Sequence, residues 1–131
     1  MSEQNQGVVL AIGGFFFRSS DPDRLSAWYK DRLGVGAGCA FDGQTGDWSW
    51  RTQGGDVVFA PFRESSDYFA AEKRFMLNFR VSGLDGLVAR LESAGVAVER
   101  RDEWDQAETG RFARIHDPDG NPIELWEPPA T

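Results

Sequence analysis

The chain has 131 residues, a net charge of −7 and 40% apolar residues. That length makes one domain rather than two full ones, and the acidic balance argues against nucleic acid or an anionic membrane surface as partner. One cysteine and one histidine exclude an intrachain disulfide, a CxxC redox pair and any metal site that takes two histidines from one chain. The longest apolar run, Val8 to Phe17, holds ten residues, against about 20 for a membrane-spanning helix. No basic residue precedes it as a secretory signal would require, so a cytoplasmic protein is expected.

Residues 8–17 (VVLAIGGFFF) read as a strand, with Gly13-Gly14 marking a bulge or a close approach. Ser19, Ser20 or Asp21 caps a helix with Pro22 in its first turn, and Leu25, Trp28, Tyr29 and Leu33 form its apolar stripe. Gly34 and Gly36 end it. Three short strands follow, near 37–42, 47–52 and 55–62, then a connection over 63–73. Arg74 to Val81 reads as a strand. Leu84 to Ala94 reads as a helix with Leu84, Leu87, Val88 and Leu91 on one face and Gly95 as its stop. Val96 to Arg100 is a short strand, and 110–116 with 122–126 form a hairpin around Asp117-Pro118-Asp119-Gly120-Asn121, whose residues are turn formers.

The order repeats. A shift of 62 residues places Phe17-Arg18 on Phe79-Arg80, Ser20 on Ser82, Leu25 on Leu87 and Ala27 on Ala89. The reading is an α+β domain over 7–128, built from two βαβββ repeats, about 8–62 and 74–127. Two curved mixed sheets then enclose a cup, with the helices outside.

The segments RSSDPDRLSAWYKDRLG (18–34), FRVSGLDGLVARLESAGV (79–96) and above all HDPDGNPIELWEP (116–128) resemble the vicinal oxygen chelate superfamily. That superfamily includes glyoxalase I, extradiol dioxygenases, fosfomycin-modifying transferases and bleomycin-binding resistance proteins. The resemblance implies one metal ligand on each of four strands lining the cup. Carried over, these positions are Gly14, Met76, Glu124 and one residue among the apolar Val57, Val58, Phe59 and Ala60. Gly14 has no side chain and Met76 offers a soft thioether, so three of the four positions do not ligate. A catalytic zinc takes about three protein ligands. No metal site and no cofactor are expected; a divalent ion held by His116 and neighbouring carboxylates is the remote alternative.

Glu124 lies between Ile123 and Leu125, and strand alternation puts Pro122, Glu124 and Trp126 on one face. It is the candidate binding carboxylate and, if the protein is an enzyme, the candidate catalytic base; otherwise it is a structural group satisfied by Arg80, Arg114 or water. Met76 and Asn78 share the strand face that carries the family's ligand position. Phe16, Trp48, Trp50 and Phe59 are candidate aromatic walls. His116 and Cys39 read as inert. The expected function is a small-molecule-binding protein or metal-independent enzyme of the glyoxalase and bleomycin-resistance type, acting as a homodimer. Its acidity suits a cationic, partly planar ligand. A metal-dependent lyase, isomerase or dioxygenase, or a non-catalytic scaffold with a filled cup, are the alternatives.

Overall fold

Asp21 starts the first helix, α1 (Pro22–Leu33), in the computed structural model. Its carboxylate accepts from the Arg24 N–H at 3.2 Å, and Ser19 Oγ accepts in turn from the Asp21 N–H. Gly34 ends the helix with φ 68°, a left-handed angle that glycine adopts without steric penalty. The structure describes residues 7, 15, 17–36, 52–55, 58 and 60–130. The strand expected over 37–42, and nearly all of those expected over 8–17 and 47–52, lie outside the described residues; of 55–62, residues 55, 58 and 60–62 are described and carry no strand, while 56, 57 and 59 lie outside.

The second half follows as β1 (Leu77–Arg80), α2 (Leu84–Ser93), β2 (Arg111–His116) and β3 (Pro122–Glu127). These strands make a mixed sheet in the order β1-β3-β2, with β1 parallel and β2 antiparallel to β3. An α+β architecture is therefore observed. The strand expected from Arg74 is shorter, because β3 begins at Pro122, which has no N–H to extend the ladder. The strand expected over 96–100 is a single bridge, Glu99 to Arg114, before the chain enters a 3₁₀ turn at Asp102–Trp104.

Register sorts the side chains. Leu77, Ile123 and Ile115 form one row, and Phe79, Leu125 and Ala113 the next. These rows meet Leu84, Val88 and Leu91 of α2 and Leu25 and Tyr29 of α1 in the core. The expected stripes on both helices are thus the packed faces, with Trp28, Leu33 and Leu87 at the margin. Gly110 has no room for a side chain: a Cβ there would lie 2.2 Å from the Glu127 carbonyl oxygen. Among the described residues, no helix is long and apolar enough to cross a membrane.

The Asp117–Asn121 turn is tied to the helical layer. Asp117 is buried and its carboxylate accepts from the Tyr29 O–H at 2.7 Å, the Asn121 side chain at 2.8 Å and the Asp119 and Asn121 backbone N–H groups. Burial and this bond push the Tyr29 phenol well above the ordinary tyrosine range. The motif HDPDGN is therefore a structural clamp, and His116 beside it is exposed, at the strand end opposite Pro122.

Candidate functional site

The sheet face away from the core carries a row of polar side chains. Asn78 of β1, Glu124 of β3 and Arg114 of β2 are register partners across the three strands. The next row is Arg80, Trp126 and Phe112, in which the Trp126 and Phe112 rings stack with centroids 6.4 Å apart. Alternation in Pro122–Glu127 thus places Glu124 and Trp126 together on this face, as the sequence indicates.

Glu124 is 7% exposed. Its Oε1 accepts from the Asn78 amide at 2.8 Å and its Oε2 from the Tyr68 O–H. Desolvation, with the carboxylate beside it, pushes the Tyr68 phenol up to about 12. The expected arginine partners do not engage Glu124. Arg80 instead donates to the Gly54 carbonyl at 3.0 Å, and Arg114 donates to the Tyr68 carbonyl.

Arg114 is 5% exposed. Its Nη1 donates to the Tyr68 carbonyl at 3.2 Å, and its Cζ lies 4.8 Å from the Tyr68 ring and 5.1 Å from the Trp104 ring. These rings meet at a centroid distance of 5.9 Å, forming an aromatic corner against the guanidinium. Nε and Nη2 of Arg114 are buried without a hydrogen-bond partner among the described residues. A buried guanidinium with two unused donors is costly for a fold to carry.

Of the residues singled out in sequence, the structure brings Asn78 and Glu124 together and leaves Met76 half-buried just before β1. Phe16, Trp48, Trp50 and Phe59, like Gly14 and Cys39, lie outside the described residues. Tyr68, Trp104 and the unpaired edge of Arg114 are the additions. Arg114 had a signal: it alternates with Phe112 and His116, and the hairpin turn counts it opposite Glu124. Tyr68 and Trp104 had none, because each arrives from a segment without strand or α-helical periodicity.

Among the described residues, the donor set does not fit a divalent cation. Both Glu124 oxygens accept from neutral donors, a buried guanidinium stands beside them, and Met76 is a soft ligand. Among the described residues, no three His, Cys, Asp or Glu side chains gather as a metal site.

Residues 14–126 match the model of the glyoxalase-like domain. Among solved structures, one similar chain is a glyoxalase/bleomycin resistance protein from Streptomyces sp. CB03234. It is 39% identical over 39% of this chain and 42% of that one, with a TM-score of 0.30. Another is TnmS3, an antibiotic binding protein from the same Streptomyces strain. It is 23% identical over 92% of this chain and 99% of that one, with a TM-score of 0.49. This chain thus spans less than half of the first of these structures. No curated protein matches it.

Proposed function

This chain belongs to the glyoxalase-like domain family, and on that premise we propose that it binds a small planar molecule against the sheet face of Asn78, Glu124 and Arg114. The observation that carries the reading is a buried acid and a buried base, register partners on one face, with aromatic rings against the arginine and no direct bond between the two charges. A purely structural face would pair the two charges or replace them with apolar groups.

In the full proposal the domain spans 7–128, two βαβββ repeats enclose a cup, and Phe16, Trp48, Trp50, Phe59 and Met76 wall it. Glu124 is its acceptor and the candidate base, should the bound molecule be turned over. The work is done without a metal, in the cytoplasm. The net charge of −7 does not set the ligand's charge, since Arg114 offsets Glu124 locally, so the case for a cationic ligand is weakened. The filled-cup scaffold has one observation in its favour: the Tyr68 phenol already occupies Glu124.

The test is saturation-transfer NMR with benzamidine, benzamide and benzoate, on the wild type and on Tyr68→Ala. The binding reading expects one saturable site per chain for at least one probe, with affinity altered in Tyr68→Ala. Failure of all three probes on both proteins supports the scaffold.

The proposal also includes a homodimer, supported by exposed Phe15, Phe17 and Phe62. Light scattering is expected to give twice the 14.6 kDa chain mass; a single-chain mass at micromolar concentration would contradict it.

A further inference from the structure

We propose that the Nε and Nη2 edge of Arg114 is the subsite for a carboxylate group of the ligand. The inference rests on the preceding reading, that a ligand lies on this sheet face. The guanidinium is a permanent charge and only its Nη1 is used, by the Tyr68 carbonyl at 3.2 Å. Nε and Nη2 share the opposite edge, where their N–H bonds run side by side. Two such bonds match the two oxygens of one carboxylate, and a lone carbonyl satisfies only one of them well. Both nitrogens are buried and unpartnered on a side chain that is 5% exposed.

Glu124 does not supply the missing acceptors. Its two oxygens are held by Tyr68 and Asn78, and it makes no direct bond to its register partner. The backbone of Arg114 is also committed: its N–H donates to the Glu99 carbonyl at 2.8 Å, and its carbonyl accepts from the Glu99 N–H at 2.9 Å. These bonds hold the backbone, and the guanidinium is held by the Tyr68 carbonyl with the corner of Tyr68 and Trp104 beside it. That corner offers ring surface to an aryl group attached to the carboxylate. Tyr68 lies in a segment, 61–76, without helix or strand, so a shift of this segment to admit a ligand would leave the sheet ladder unbroken.

The experiment compares benzoate with its neutral isostere benzamide by calorimetric titration of the wild type, Arg114→Lys and Arg114→Gln. Benzoate is expected to bind the wild type at least about tenfold more tightly than benzamide, as a bidentate charged contact requires. The preference should disappear in both variants, since Lys keeps the charge but not the planar fork. On the wild type alone, benzoate should also shift the Arg114 Nε–H resonance, a readout that stands even if a variant fails to fold. Saturable benzamide binding equal to that of benzoate would overturn the carboxylate subsite and leave the binding face standing. A benzoate preference that survives both substitutions, or that leaves the Arg114 Nε–H unmoved, would overturn the assignment to Arg114. No binding of either probe would overturn the subsite and count against the binding face as well.

Discussion

Arg114 and Glu124 stand directly opposite each other on adjacent antiparallel strands, both buried, and do not bond to each other. The Arg114 backbone bonds run outward to Glu99, so the pair is a non-hydrogen-bonded one, the class in which facing side chains lie closest. Tyr68 contacts both. Its hydroxyl donates to Glu124, its carbonyl accepts from Arg114, and its ring lies beside the guanidinium. One residue thus satisfies part of each charge.

Glu124→Gln is expected to lower the stability of the ligand-free protein. A glutamine can still accept from Asn78, but its N–H₂ then faces Tyr68, whose hydroxyl must turn from donor to acceptor, and both bonds lose the charge of the carboxylate. Exchanging charged for neutral hydrogen bonds destabilises by about 1 kcal/mol. Denaturant melts of wild type and variant check this, and an unchanged or raised midpoint would show that Glu124 is not held as described.

Both tyrosines of the chain should titrate late. Tyr29 and Tyr68 are the only two. Burial and a carboxylate acceptor raise Tyr68 to about 12, and raise Tyr29 further. The folded state holds these protons more tightly than the unfolded state, whose tyrosines titrate near 10.0. The stability they contribute is therefore present below pH 10 and lost as pH rises through about 12. Absorbance at the phenolate band should stay flat near pH 10 in native protein and rise there in denaturant. Tyr68→Phe should remove the earlier native step. A native step of one tyrosine near pH 10 would contradict the buried contacts.

The purified protein should contain no stoichiometric divalent metal, and chelator treatment should leave its melting temperature unchanged. The reason is the donor chemistry: a glycine and a thioether at two family positions, and a carboxylate already hydrogen-bonded beside a buried arginine. Elemental analysis with about one Zn, Mn, Ni or Fe per chain would overturn this.

Much of the second half was legible in sequence because its signals are local. The Asp117–Asn121 turn fixes the hairpin, the hairpin fixes the register, and alternation then separates Glu124 and Arg114 from Ile123 and Ile115. The stripe of Leu84, Val88 and Leu91 identifies the packed face of α2 in the same way. Local pattern stops at Tyr68 and Trp104. Tyr68 is 56 residues from the glutamate it bonds, and it sits among turns with no repeating apolar spacing. The capping role of Glu127, whose carboxylate accepts from the Leu84 N–H at 3.3 Å, is likewise tertiary: its partner is 43 residues away.

The central claim is that this sheet face receives a small planar molecule, and side-chain chemical shifts test it most directly. A ¹⁵N-correlated NMR titration with benzoate follows the Asn78 side-chain amide beside Glu124 and the indole N–H of Trp104, whose ring lies against Arg114. The account expects both signals to move together and saturate with one midpoint, while the Trp126 indole N–H, bonded to the Thr109 carbonyl at 2.7 Å, moves less. Saturable binding that leaves Asn78 and Trp104 unmoved would place the ligand elsewhere and contradict the claim.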